Sequence, residues 1–475
     1  MVREFASGLL QLGVTKDETI CYFAENSLHH TIAWFSGLYL GSPVLLQISP
    51  NDRSTISFQI RDAKSTILII GLSKVIDFQQ ILFDDKKRSH LTHLKLIILL
   101  NSKQKDEILL RDLVKQWLSN SPIVHTSATV TELGKPKPLV SIPHFPVKNP
   151  KNKHLGIYYT SGTSNMPKGV IHTHGSFIAS LLNWKFPDNH IEKRVITCQP
   201  LGHLSGSHFI PMCLDQCMTV ICLSNERTSI DEIMENIYKF RINFYIFTGH
   251  ASPLLLKDYE KLYDLTCLEG IHLGGTKFDK KTLLNIKAKY QVRMYETYAS
   301  TEFAGHIGFM DQSKTWQDYE PGNLGTVQPN IEMKIIDLES GRSLPANQNG
   351  EVCFRGPPCF VGYLKNEPET KKAIDSDEWY HSGDIGYYND QKCLFIIDRI
   401  NQMISWHPTS TVFFHFLPGE LEQFIKEHPA VLDVCVVGVP HITYGNLTRA
   451  YIQLKPGISI CEQEMVDYIN RKLLQ

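Results

Sequence analysis

The first hundred residues of this chain alternate helical and strand-like hydrophobic patterns, and that alternation restricts the possible folds more than any other feature. Helical spacing runs to Val14, a strand pattern covers Ile20 to Phe23, a helix follows over His29 to Leu40, and strands are read at Val44 to Ile48 and Thr66 to Ile70. This order predicts a mostly parallel α/β sheet. Further βα units are expected with strands at Val195 to Gln199, Phe244 to Thr248 and Ile271 to Gly275. Between the two sets, Ser119 to Lys153 is rich in Pro, Ser, Thr and Lys and is read as an irregular connection. From about Gly322 the texture changes to short strands with turn signals, as in IEMKIIDLESGRSLPANQNGEVCFRG, which predicts antiparallel hairpins or a small barrel. After Asp398 a new compact unit begins, with a helix over Pro418 to Glu427 and a strand over Asp433 to Val439.

At 475 residues and 42% hydrophobic content, one large domain and a smaller one are expected. The balance of 48 basic against 49 acidic residues gives no excess charge for nucleic acid or an acidic membrane surface, so substrates are recognised locally. Eleven scattered cysteines with no C-x-x-C spacing predict reduced thiols and an intracellular compartment. Met1 to Val14 lacks the pattern of a secretory signal, and the apolar stretch from Ala33 to Leu46 is broken by Gly41, Ser42 and Pro43. No transmembrane segment is expected.

The chemistry enters with YTSGTSNMPKGV, Tyr159 to Val170. Ser161, Gly162, Thr163 and Ser164 offer backbone N–H groups and hydroxyls to phosphate oxygens, and Lys168 supplies a positive charge for a polyphosphate. Pro167 and Gly169 oppose a helix through the lysine. No Ser or Thr follows Lys168, so this is not the G-x-x-x-x-G-K-[ST] loop. Taken alone, the run also fits an ordinary polar turn.

Six further motifs occur in order: PLGHLSG at Pro200 to Gly206, HLGGTKF at His272 to Phe278, YASTE at Tyr298 to Glu302, GEVCFRGP at Gly350 to Pro357, WYHSGDIGY at Trp379 to Tyr387 and FIIDR at Phe395 to Arg399. With the glycine and lysine loop, they resemble the adenylate-forming (AMP-binding) superfamily of acyl-CoA synthetases, coumarate-CoA ligases and luciferase-like enzymes over nearly the whole chain.

That resemblance implies an α/β fold. The large N-terminal domain, 1–397 and short at its start, would hold α/β sub-domains with a small β-barrel-like part. A small, truncated α+β C-terminal domain, 398–475, would follow a hinge at Asp398. It also implies an ATP-dependent carboxylate-CoA ligase that forms acyl-AMP and then acyl-CoA from a fatty or aryl carboxylic acid, using Mg2+ and coenzyme A. Two other functions stay open: a catalytically impaired paralogue that binds nucleotide or acyl-adenylate, and a luciferase-like monooxygenase. The family places its members in the cytoplasm or the peroxisome.

The resemblance also assigns roles residue by residue. The loop from Thr160 to Lys168 would clamp the β and γ phosphates, Tyr298 would stack on adenine, and Thr301 would hydrogen-bond the α-phosphate. Glu302 would bind magnesium, a hard cation that prefers oxygen ligands. Asp384 would accept the ribose hydroxyls and Arg399 would pair with the ribose. Gly274, Gly275 and Thr276 would pass between adenine and the acyl pocket, beside which His203 would gate or position the acyl group. Each has an ordinary reading too: a solvated carboxylate for Glu302, a packing aromatic for Tyr298, a turn for Asp384 or the glycine pair, and a buried structural histidine for His203.

The chain departs from the family pattern at several points. Ser164 and Asn165 stand where a threonine and a glycine are usual, and Ala299 replaces the glycine after the stacking tyrosine. Asn401 to Leu417, NQMISWHPTSTVFFHFL, lacks the family's lysine and glycine pattern around a short hairpin and reads as an insertion, which puts thioester formation in doubt. The sequence ends at Gln475, before the position of the family's C-terminal lysine, so no residue takes that role here.

Overall fold

The computed structural model describes the chain except for residues 17, 42–43, 48–54, 136–146, 161–166, 184–191, 224–227, 249–254, 276–277, 279, 310–318, 410–411, 442–444 and 474–475. The described residues form two compact units. The first comprises Met1–Glu332 with Arg355–Glu378, and the second Met333–Phe354 with Trp379–Gln475. This grouping by contact differs from the expected division at 397/398, because three strands that precede Asp398 in sequence pair within the second unit.

The first unit carries the predicted parallel sheets. An eight-stranded sheet runs in the order Gly362–Tyr363, Lys168–Thr173, His154–Thr160, Val44–Gln47, Thr19–Phe23, Ile67–Gly71, Leu96–Leu100, Ile123–Thr126. The last six strands are parallel; Lys168–Thr173 pairs antiparallel with His154–Thr160 on one side and with Gly362–Tyr363 on the other. Side chains alternate between faces. Ile20, Tyr22 and Ala24 enter one apolar cluster, while Cys21 and Phe23 enter the cluster on the opposite face. The helix Leu28–Leu40 begins at Ser27, whose hydroxyl accepts from the His30 amide at 3.1 Å, and ends at Gly41 with φ of 74°. A left-handed backbone there is cheap only for glycine.

The stretch Ser119 to Lys153 is not wholly irregular. Ile123–Thr126 is the edge strand of the eight-stranded sheet, and Ser127–Gly134 is a helix whose N-cap, Thr126, accepts from the Thr129 amide. Short elements rich in hydroxyl residues carry little hydrophobic periodicity, so the composition read as loop. This helix packs closely on Val2–Gln11: a Cβ placed on Gly8 would lie 1.9 Å from the Val130 carbonyl oxygen, and one on Gly134 would lie 1.8 Å from that of Glu4.

A second sheet of five parallel strands runs in the order Arg293–Thr297, Gly270–Gly274, Phe244–Thr248, Arg194–Thr197, Thr219–Cys222. Ile233, Met234 and Ile237 from the helix Ile230–Phe240 pack against its core residues Ile196, Ile271 and Leu273.

The second unit contains two four-stranded sheets. One orders Glu332–Ile336, Gly350–Arg355, Tyr380–Tyr388 and Leu394–Arg399, and the other Val412–Phe416, Ile404–Thr409, Gly445–Leu454 and Val431–His441. The hairpins expected after Gly322 are present, and no closed barrel occurs among the described residues. The segment read as an insertion is itself a hairpin, pairing Ile404 with Phe416 and Trp406 with Phe414. No described helix is long and apolar enough to cross a membrane.

Candidate active site

Parallel sheets present ligand-binding loops at the carboxyl ends of their strands. In the five-stranded sheet, PLGHLSG follows Arg194–Thr197, Gly274 and Gly275 end Gly270–Gly274, and Tyr298 to Glu302 follow Arg293–Thr297. Three of the sequence motifs therefore emerge at one edge. Gly274 sits where a Cβ would come 3.0 Å from the Thr297 hydroxyl, and Gly275 has φ of 83°. Both positions favour the residue they hold. Thr276, like Ser161, Gly162, Thr163 and Ser164, lies outside the described residues.

The glycine and lysine loop is closed by pairing of Thr160 with Lys168, so Lys168 opens a strand, in keeping with the proline and glycine around it. Lys168 is largely buried and ion-paired with Glu369, and its ammonium lies 5.2 Å from the centre of the Tyr363 ring. The Tyr363 hydroxyl donates to Glu302 Oε1 at 2.9 Å, and the Ser300 hydroxyl donates to Glu302 Oε2 at 2.9 Å. One tyrosine thus links the two charged residues of the motifs. Tyr363 is itself fixed, because Gly362 and Tyr363 pair with Ile171 and Val170 and the Tyr363 amide donates to Thr370 Oγ1 at 2.8 Å. Lys168 and Lys372 hold the Glu369 carboxyl down to about 2, below its ordinary range.

A second link joins the loop's strand to YASTE. His172, wholly buried, donates from Nε2 to the Thr301 carbonyl at 2.6 Å, which leaves Nδ1 to accept from the Ser176 hydroxyl at 3.2 Å. Burial lowers its pKa to about 4, so the ring is neutral. The Phe360 amide donates to the Glu302 carbonyl at 2.8 Å. Thr301 and Glu302 are consequently held from both sides, in a short 3-10 turn over Thr301–Phe303. Tyr298 is half-buried, and its carbonyl accepts from the Ile307 amide at 2.8 Å.

His203 is exposed, not buried. It is the N-cap of the helix Leu204–Asp215, where Nδ1 accepts from the Ser205 amide at 3.2 Å. Ser205 in turn donates to Gln199 Oε1 at 2.7 Å. The ring is therefore oriented by the helix it caps.

In the second unit, Asp384 and Arg399 are cross-strand partners, with Arg399 Nε 2.7 Å from Asp384 Oδ1. Asp384 is buried and Arg399 is more than half exposed. Asp398 accepts from the Arg399 amide through Oδ1 and from the Gly419 amide through Oδ2, both at 2.8 Å. The expected hinge residue thus ties the end of one strand to the start of the helix Pro418–Lys426.

Tyr363, Glu369 and His172 are absent from the residues singled out in the sequence. Tyr363 stands six residues beyond the matched GEVCFRGP, and only its pairing with Val170 reveals its place.

Lys168, Tyr363, Glu302 and Thr301 thus lie in one connected set of contacts, beside strands of the two sheets. The AMP-binding enzyme family matches residues 1–364, and the AMP-binding enzyme C-terminal domain matches residues 420–474. The chain belongs to the AMP-binding enzyme family. A 4-coumarate-CoA ligase of Petroselinum crispum is 27% identical over 99% of this chain and 81% of its own length. One of Narcissus pseudonarcissus is 32% identical over 67% of this chain and 59% of its own. Among solved structures, the amide bond synthetase McbA of Marinactinospora thermotolerans superposes with a TM-score of 0.79 at 18% identity, covering 100% of this chain and 87% of that one. The anthranilate CoA ligase AuaEII, solved with anthranoyl-AMP, gives 0.77 at 18%, covering 99% of this chain and 84% of its own. These structures share the fold.

Proposed function

We propose that this chain is an ATP-dependent acid-thiol ligase that forms an acyl-adenylate and then acyl-CoA from a fatty or aryl carboxylic acid. The observation that carries this reading is the linked set Lys168, Tyr363 and Glu302, fixed beside Thr301. In the first step a carboxylate oxygen attacks the α-phosphorus of ATP, the bond to the bridging β-phosphate oxygen breaks, and pyrophosphate leaves. Such a displacement is accelerated chiefly by positioning and charge stabilisation. Lys168 places a cation on the departing phosphates. The rigid turn at Thr301 presents a hydroxyl to the α-phosphate, and Tyr298 offers a ring to adenine. In the second step the thiol of coenzyme A attacks the acyl carbon and AMP leaves.

The Glu302 carboxylate fits a magnesium ion: it supplies hard oxygens, each with a lone pair beyond the one engaged by Tyr363 or Ser300. Bound there, magnesium would neutralise phosphate charge, while Tyr363 and Ser300 orient the carboxylate. Asp384 and Arg399 supply an acceptor and a donor suited to ribose hydroxyls. The coumarate ligases at 26–32% identity support an aryl acid as the first substrate to try.

The test is mass detection of acyl-AMP and acyl-CoA after incubation with Mg-ATP, coenzyme A and a panel of hydroxycinnamic, benzoic and medium-chain fatty acids. Acyl-CoA from at least one acid, abolished in Lys168→Ala, is expected. ATP binding with no adenylate from any acid would overturn the ligase reading in favour of a nucleotide-binding paralogue.

A further inference from the structure

A cluster in the second unit takes no part in this chemistry. Glu351 and Cys353 lie on the strand Gly350–Arg355, and His381 lies on Tyr380–Tyr388 as the cross-strand partner of Cys353. A register irregularity between Glu351 and Cys353 brings the three side chains together. One ligand atom from each, a carboxylate oxygen, a thiol sulfur and an imidazole nitrogen, lies within 4.8 Å of the others. Among the described residues this is the one group of three or more metal-ligating side chains so arranged.

The separations match a metal's coordination sphere. His381 Nδ1 is 2.9 Å from Glu351 Oε2 and 3.7 Å from Cys353 Sγ. Tetrahedral zinc, with bonds of about 2.0–2.2 Å to nitrogen and oxygen and about 2.3 Å to sulfur, requires edges of roughly 3.4 Å and 3.6 Å between such ligands. The sulfur–nitrogen edge already fits, and the nitrogen–oxygen edge needs to open by about half an ångström. The outer partners are in place as well. Glu351 Oε1 accepts from the Gly383 amide at 3.1 Å, which turns Oε2 toward the other two ligands. Gly383 has φ of 70°, and the neighbouring Ser382 hydroxyl donates to the Val352 carbonyl at 2.6 Å, fastening the two strands beneath the cluster. The thiol is buried, while His381 is about a quarter exposed, which gives an ion access from one side.

We infer that Glu351, Cys353 and His381 form a site for a zinc-like divalent cation, with water in the fourth position. A mixed sulfur, nitrogen and oxygen set selects a borderline-soft ion such as Zn2+ over Mg2+ or Ca2+. The site is independent of the nucleotide reading.

The experiment titrates the full chain, stripped with a chelator, with Co2+ and follows the thiolate-to-cobalt charge-transfer absorption. A band that saturates at about one equivalent and is displaced by Zn2+ is expected, since zinc binds such sites more tightly than cobalt. Cys353→Ser should abolish the band and Glu351→Gln, which keeps the acceptor for the Gly383 amide, should weaken Co2+ binding at least tenfold. Circular dichroism confirms folding of each variant. No thiolate band in the folded wild-type chain overturns the proposal, whether or not the variants fold. A band that persists unchanged in folded Cys353→Ser overturns it too, because the ion would then sit on one of the other cysteines.

Discussion

Tyr363 concentrates the argument at the scale of single residues, since its ring faces the Lys168 ammonium while its hydroxyl holds the Glu302 carboxylate. Tyr363→Phe removes only the second contact. A hydrogen bond to a charged acceptor contributes about 1.5–3 kcal/mol, so adenylation at saturating ATP should fall about tenfold or more. Tyr363→Ala, which also removes the ring, should fall further. Pyrophosphate release measures both, and a wild-type rate in Tyr363→Phe would contradict the linkage. Glu369 presents a different expectation. ATP phosphates must compete with it for Lys168, so Glu369→Gln should lower the KM for ATP several-fold, and an increase would show that Glu369 instead holds the lysine in its working position. Neither residue was legible in the sequence. Lys168 and Glu369 are 201 positions apart, and Glu302 and Tyr363 are 61 apart. Pairing of that kind is set by sheet edges, which no local pattern records. Lys168, Thr301 and Glu302 stood out in the sequence because glycine, hydroxyl and charge fall within short runs.

At the scale of elements, close backbone packing and buried histidines make separate predictions. The helices Val2–Gln11 and Ser127–Gly134 meet at glycines, where a methyl group would collide with backbone carbonyls. Gly8→Ala or Gly134→Ala should therefore lower stability by about 1–3 kcal/mol, read as a reduced urea midpoint; an unchanged midpoint would contradict the packing. This contact was missed in the sequence because a hydroxyl-rich segment concealed a strand and a helix. The strand read at Thr66 to Ile70 was legible, since its continuous apolar run, Ile67–Gly71, is buried on both faces, whereas the equally buried strand Leu96–Leu100 was not read. His172 and His30 are both buried, and desolvation lowers each to about 4 from an ordinary 6.5. The folded state resists their protonation more than the unfolded state does. Their neutral forms therefore leave stability intact above pH 6.5, and it is lost as pH falls from 6.5 toward 4, by up to roughly 1.4 kcal/mol per pH unit for each group. Urea unfolding at pH 7 and pH 5 should show a lower midpoint at pH 5; equal midpoints would contradict the neutral assignment.

For the molecule as a whole, motif order along the chain was enough to place it in a family, whereas the grouping of strands was not. Gly350–Arg355 and Leu394–Arg399 flank Tyr380–Tyr388 in one sheet, so residues on either side of Asp398 belong to one compact unit. A boundary drawn along the sequence cannot show this, because strand partners are chosen across intervening segments. The same sheet brings Asp384 against Arg399, two positions named separately from the motifs HSGD and FIIDR. The central claim is that the first unit's lysine, threonine and glutamate serve chemistry at the α-phosphate of ATP. Carboxylate-dependent exchange of labelled pyrophosphate into ATP tests it most directly, since it reports reversible adenylate formation without the thioester step. Exchange that requires an added acid and falls by two orders of magnitude or more in Lys168→Ala is predicted. Exchange equal in wild type and Lys168→Ala, or absent with every acid from a folded chain that binds ATP, would contradict the claim.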